Sequence, residues 1–531
     1  MKRLLLAIHD VSFPSDPDED IGRGSPATRA AGRLFAYARQ LGFTGIQLGP
    51  QGQTARSNPS PYDGTIFSRN LGNIAIGSFG VPHQQWLVPG GPARHADAYD
   101  ASHALVAEAY TRITPAQRAE LAEFRRANAS WLDSDALHAA LCVHHGGAGF
   151  RDWPERDRDP RTASAAGHDA ATEVAIDRYA FGQMLVHAEH QRVRASCGLL
   201  LYGDLQVGYS DADAWHFQHT FLRGYRMGAP PSRTNPDGQP WGYPVLDPEN
   251  PASRALVIAR ADKAFAEYDS LRIDHPHGLV CPWVYPDEDF RAGTRLHESP
   301  DLLPRYAYVR EDQLDRTLPR HADHWVKWLE PAQIDRFATY TDALIEAART
   351  HGRAVADLSA EVLSTLPAPL AAILHRHGLG RWRVTQKANL DDPSDVYRTE
   401  HVAREDWVML GNHDTAPIFS VIHGWTAQKR EQWARHLAAR LRLPDPARLA
   451  SDGFVANCML AELLVSDAEN VSIFFADLFG YEDRFNVPGL VDEHNWTLRL
   501  PADFEALHAR RLADDHALDL SLAASLALAA R

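Results

Sequence analysis

SLRIDHPHGL, Ser270–Leu279, packs an arginine, an aspartate and two histidines into a short apolar run closed by Pro276 and Gly278. Charged side chains are almost never fully buried unless paired, so this strand end is either a half-exposed edge or the mouth of a site. The same pattern recurs along the chain. Gly198–Gly208, the run leading to Glu361, Arg381–Lys387 and Asp406–Asp414 are strand-like and end in polar groups, while Lys2–Ile8, Phe43–Pro50 and Asn470–Gly480 complete a set of eight candidate strands. Amphipathic helical patterns, such as Asp335–Gly352 and Thr426–Leu443, lie between them. Strands this apolar, alternating with helices, indicate a parallel sheet covered on the outside.

Eight such units fit a closed barrel or an open doubly wound sheet. Asp204, Asp274, Glu361, Gln386, His413 and Asp414 stand at or just beyond the C-terminal ends of five different strands. A barrel gathers those ends around one cavity, whereas an open sheet concentrates its site at one switch point. With no GxGxxG or GxxxxGK loop to mark a phosphate crevice, the expected fold is an α/β (β/α)8 TIM barrel with helical and loop insertions. Residues 1–531 are read as a single catalytic domain. Residues 97–190 change character to long helical patterns and are read as an insertion walling one side of the site, with Thr114, Pro115 and Gln117 predicting a capping box.

Composition narrows the function. The formal charge of -15 argues against tracking of nucleic-acid phosphates, and no segment approaches the length of a membrane span. The basic, apolar opening is too short for a signal peptide and reads as a first strand. Four widely separated cysteines form no CxxC pair and suit the reduced thiols of a cytoplasmic protein. The 27 histidines include His144 with His145, His275 with His277, and His413, yet no HExxH or comparable ligand set, so neither a metal nor another cofactor is expected.

Asp274, Glu361 and Asp414 suit chemistry that needs three carboxyl groups. Glycoside cleavage with retention takes a nucleophilic carboxylate and a carboxylic acid about 5–5.5 Å apart. The third group can hold hydroxyls or stabilise the transition state. Arg272 would share a strand face with Asp274 and keep it ionised, while the apolar surroundings of Glu361 would favour its protonated form. Taken singly, each has a plainer reading. Asp274 with Arg272 is equally a structural ion pair, Glu361 a helix N-terminal acid, and His413 with Asp414 a strand-end cap or half of a metal site. Tyr62, Phe67, Trp215, Trp241, Tyr243, Trp283 and Tyr285 lie in or beside Pro- and Gly-rich loops, where aromatic rings either stack on sugars or pack in the core.

The motifs SPYDGTIFSRN, GDLQVGYSDADAW, GAPP with PDGQPWGYP, LRIDHPHG, EVLSTLP, GLGRWRVTQK, GNHD and FNVPGLVDEHNWTLRL, in this order over about residues 40–500, resemble the amylomaltase family of 4-alpha-glucanotransferases, relatives of the alpha-amylases. The resemblance implies transfer of alpha-1,4-glucan segments between maltooligosaccharides by a retaining double displacement. It implies Asp274 as nucleophile, Glu361 as acid/base and Asp414 as transition-state stabiliser. Tyr62, Asp204, Ser210, Asp211, Trp241, Arg272, Gln386 and His413 become substrate-binding candidates. Counting from Glu361 to Gly378, Leu379 and Gln386 reproduces the family spacing, whereas counting from Ala356 does not. Asn486, Pro488, Gly489, Asn495, Trp496 and Arg499 match a C-terminal pattern taken as mainly structural. HDTAP in place of HDNDT and EVLS in place of EDLG bear on chain length and acceptor choice. An alpha-glucan hydrolase of the same clan and an inactive glucan-binding protein remain the alternatives.

Overall fold

The computed structural model describes residues 3–232, 235–298, 309–490 and 492–531. Lys2 and Val491, which fall in the first expected strand and the last motif, lie outside them. Twelve strands occur among the described residues: β1 (Arg3–Ile8), β2 (Gly45–Leu48), β3 (Leu200–Leu205), β4 (Tyr225–Ala229), β5 (Gln239–Tyr243), β6 (Ser270–Ile273), β7 (Trp283–Pro286), β8 (Thr294–Arg295), β9 (Ser359–Ala360), β10 (Trp382–Val384), β11 (Trp407–Met409) and β12 (Asn470–Phe474).

Eight of them form one sheet in the order β10-β11-β12-β1-β2-β3-β6-β9, with every pairing parallel. A parallel bridge from Ala360 to Arg381 joins the two outer strands, so the sheet is a nearly closed barrel with flanking helices. All eight expected strands are present, each shorter than its apolar run. β2, β6, β10, β11 and β12 are buried along their whole length, as expected of strands covered on both faces.

Parallel strands need crossovers, and the sequence marks where the crossover helices begin. Thr28, Asn250, Thr426 and Ser451 each accept a backbone N–H at the start of Arg29–Gln40, Pro251–Glu267, Ala427–Arg440 and Asp452–Val465. Between β2 and β3 run three long helices, His95–Thr111, Pro115–His144 and Ala170–Ser196, the second opened by the expected Thr114–Gln117 capping box. They hold the loop after β2. Ser68 Oγ donates to Asp135 Oδ2 at 2.6 Å, and Gln183 bonds both the N–H and the C=O of Arg69.

The remaining strands form an antiparallel sheet, β5-β4-β7-β8, where sequence reasoning expected loops. Its signal was Pro236-Asp237-Gly238, with Gly238 at φ 73, between two short runs whose burial does not alternate cleanly. The four cysteines are free thiols. No helix among the described residues is long and apolar enough to cross a membrane.

Candidate active site

Register creates the centre of the site. Asp204 on β3 stands opposite Arg272 on β6, and the next pairing sets Arg272 beside Ser359 on β9, so the chain just beyond β9 brings in Glu361. Because side chains alternate across a strand, a slip of one residue would turn Arg272 to the other face. In this register its guanidinium is 1% exposed and serves three carboxylates. Nη1 donates to Asp204 at 2.7 and 2.5 Å, while Nη2 donates to Asp274 Oδ1 at 2.9 Å and to Glu361 Oε2. The rings of Trp382 and Tyr62 lie 4.8 and 5.5 Å from its charge centre.

Asp274 is oriented at both oxygens. Oδ1 takes Arg272 and lies 3.1 Å from His275 Nδ1, while Oδ2 accepts the Val207 N–H at 2.9 Å. Burial works against its charge, but Arg272 and then His275 outweigh it and hold the carboxyl well below the usual carboxylate range. Glu361, 2% exposed, does not sit in the apolar surroundings expected from its sequence neighbours. Its Oε2 meets Arg272 and lies 3.1 Å from His275 Nδ1. One side-chain donor atom from each of Asp274, His275 and Glu361 lies within 4.8 Å of the other two. Such proximity is nearer to the close carboxyl pair of a retaining enzyme than to the ~6.5–9.5 Å separation of an inverting one.

Around this pair stand Asp204, Tyr62, His413 and Asp414. Burial pushes Asp204 up to about 7 against the pull of Arg272. The Tyr62 hydroxyl donates to Asp204 Oδ2 at 3.3 Å, and its ring stacks on His413 at 5.2 Å and 19°. Burial and Arg272 lower His413, against the pull of Asp414, which favours a neutral imidazole. Asp414 accepts from Asn486 Nδ2 at 2.7 Å, and its own N–H donates to Asn412 Oδ1 at 3.1 Å. Trp241, on β5, meets His275 edge-on at 4.9 Å and 82°. Gly208 permits the closure here: a Cβ on it would stand 2.6 Å from the Tyr62 carbonyl and 2.6 Å from the Tyr243 ring.

Other candidates are engaged elsewhere. Ser210 caps the short helix Asp211–His216 with Asp213, and the exposed Asp211 pairs with Arg151 at 3.1 Å. Gln386 donates to the Ala416 carbonyl at 2.9 Å. Phe67, Trp215, Trp283 and Tyr285 are buried, Trp215 completely, so they pack in the interior instead of rimming a cleft. Tyr62, Trp241 and Tyr243 stay partly exposed.

Two groups among the described residues bring donor atoms within reach of a metal ion: Asp274, His275 and Glu361, and Glu400, His436 and Glu462. The first already has the Arg272 guanidinium for its positive charge. In the second, His436 lies 2.6 Å from Glu462, and Arg398 donates to Glu400 at 2.9 Å.

A family model described as 4-alpha-glucanotransferase matches residues 8–504, nearly the whole chain. The chain belongs to the 4-alpha-glucanotransferase family. A 4-alpha-glucanotransferase of Solanum tuberosum is 26% identical over 54% of this chain and 54% of its own length, and one of Thermus thermophilus is 27% identical over 53% and 59%. These matches span about half the length of those curated relatives. The amylomaltase of Streptococcus agalactiae, solved with acarbose, superposes with a TM-score of 0.75 over 98% of this chain and 100% of that one at 15% identity. That of Corynebacterium glutamicum gives 0.69 over 98% and 75% at 18% identity. At such identities the likeness is one of fold.

Within this 4-alpha-glucanotransferase family fold, sequence reasoning passed over four groups at the site. His9, at the end of β1, packs against His413 at 5.1 Å and was legible by the strand-end rule already applied to five other strands. His275 was read only as one of many chance histidine pairs. Asn412 stands within GNHD, next to His413 and Asp414, and its role as acceptor of the Asp414 N–H has no signal in the motif. The Val207 N–H carries no side-chain signal.

Proposed function

We propose that this chain is a 4-alpha-glucanotransferase that transfers alpha-1,4-glucan segments between maltooligosaccharides by retaining double displacement. The observation that carries the reading is the pairing of Asp274 and Glu361 on one buried guanidinium, with an oxygen of each within 4.8 Å of the other, inside a chain of this family. The parallel bridge between Ala360 and Arg381 supports reading the sheet as a (β/α)8 barrel, in which Asp204, Asp274, Glu361 and Asp414 converge at the C-terminal strand ends.

In the first step an Asp274 oxygen bonds to the anomeric carbon as the glycosidic C–O bond breaks, and Glu361 gives its proton to the departing oxygen. In the second, the 4-hydroxyl of an acceptor attacks the same carbon, Glu361 takes its proton, and the bond to Asp274 breaks. Asp274 suits the nucleophile's part because it is held ionised and is oriented at both oxygens. Asp414, fixed by Asn486 and partly exposed, is available to the sugar hydroxyls.

Incubating the protein with maltotriose tests this. Glucose together with a ladder of longer chains is expected. Small sugars without any longer chain would assign hydrolysis, and unchanged maltotriose would favour a glucan-binding protein.

A further inference from the structure

Among the described residues, His275 is the one donor besides Arg272 that both central carboxylates share. Its Nδ1 lies 3.1 Å from Asp274 Oδ1 and 3.1 Å from Glu361 Oε2. The backbone holds it there in an unfavourable conformation. His275 has φ 39, in the left-handed region that side chains with a Cβ seldom adopt, and Pro276 follows at once. Strain of this kind persists where the surroundings over-determine it, and it clusters at sites of function. The edge of Trp241 packs against the ring from β5.

The charges facing this ring can be counted. Asp274 and Arg272 come from the end of β6, and Glu361 comes from beyond β9. His277, on the same turn, has its ring centre 6.4 Å away, and burial first, then His275, lowers it to about 3, which leaves it neutral. From β5, Trp241 is uncharged, and Tyr243 reaches away to donate to Asp63 at 2.8 Å. Beyond these, Asp204 occupies the other nitrogen of Arg272. Three buried carboxylates therefore meet a single guanidinium, which leaves two negative charges in excess, and a further positive charge here would offset one of them.

We propose that His275 is a positioning residue that supplies this charge as an imidazolium, sets the pH window in which Asp274 and Glu361 work, and shares one proton with Glu361. The proposal rests on the reading of those two residues as nucleophile and acid/base. In the exchange the Nδ1–H bond breaks, its electron pair stays on the ring nitrogen, and the proton bonds to a Glu361 oxygen. An imidazolium and a carboxylate thereby become a neutral imidazole and a carboxylic acid. Transfer of the proton to the departing sugar oxygen, and its recovery from the acceptor hydroxyl, leave the shared proton in place for the next turnover. Burial works against protonation of this ring, but Glu361 and Asp274 raise it to about 10.

The test reads the ring directly. In the full chain labelled with 15N-histidine, the signal lost in His275→Gln identifies His275. The ring is expected to stay protonated through neutral pH, with a midpoint that falls by about one pH unit or more in Glu361→Gln and in Asp274→Asn. A wild-type midpoint at or below about 6.5, unmoved by either variant, would overturn the proposal. A second arm follows kcat/KM for maltooligosaccharide transfer against pH in His275→Gln and in His275→Gly, the latter suited to the left-handed backbone. Removing a cation raises neighbouring carboxyl groups, so both limbs should move by about one unit to higher pH. A lower rate with unmoved limbs would assign His275 a structural role only. If the wild-type protein transfers no glucan, the proposed function fails, while the titration still decides the imidazolium.

Discussion

Arg272 and Asp204 lie side by side on neighbouring parallel strands, and one guanidinium nitrogen meets both oxygens of the Asp204 carboxylate, at 2.7 and 2.5 Å. The other nitrogen holds Asp274 and Glu361, so one buried guanidinium ties three carboxylates together. Replacing it should cost more than an ordinary ion pair. Arg272→Met leaves the buried carboxylates without their main partner, and a loss of about 3–5 kcal/mol is expected in urea denaturation. Arg272→Lys keeps the charge but lacks the fork, so it should recover only part of that loss. Equal stability of Arg272→Met and wild type would contradict this account.

The two central acids should fail differently. Asp274→Ala is expected to abolish transfer from every donor, since no covalent intermediate can form. Glu361→Gln should be severely impaired on maltooligosaccharides yet still react with maltosyl fluoride, whose leaving group needs no proton. Mass spectrometry should then find the added maltosyl mass on the peptide containing Asp274. An adduct on residue 361 of an active protein, or near-normal transfer by Glu361→Gln, would refute the assignment.

Asn486, taken from the sequence as mainly structural, donates to Asp414 at 2.7 Å. Asn486→Ala should release that carboxylate and lower kcat by about tenfold to a hundredfold, with a smaller change in KM. Thermal unfolding of the same variant supplies the control. A kcat near the wild-type value would leave Asn486 with packing alone.

Asp477, just beyond β12, is 1% exposed and accepts the Ile418 N–H at 2.7 Å. Burial pushes it up to about 7. Between the unfolded value of about 3.9 and 7 the native state therefore holds a proton that the unfolded state has released. The resulting stabilisation is fully present below about pH 4 and is lost as pH rises through 7. The full effect is of order 4 kcal/mol. Asp477→Asn should flatten the decline of stability across this range, which denaturation at pH 4, 6 and 8 would measure. Parallel declines in variant and wild type would rule out Asp477 as the source.

What the sequence by itself determined was local or periodic. Buried apolar runs specify the eight parallel strands because a strand covered on both faces has no polar side to alternate. Thr114, Pro115 and Gln117 specify a helix start because all three act within one turn. Polar residues at strand ends pointed to Asp274, Glu361 and Asp414, since the strand itself carries its last residues to one rim. Only the tertiary structure decided how those residues meet. Arg272 joins Asp204, 68 positions away, and Glu361, 89 positions away, and nothing near either partner in sequence encodes that contact. Ser210 proves to cap a helix, and Trp215, for which rim and core were both open, lies in the interior, because burial belongs to the packed whole. The antiparallel sheet that presents Trp241, and the single nitrogen of His275 set between two carboxylates, depend on register and backbone turn together, and these are fixed only when distant strands pair.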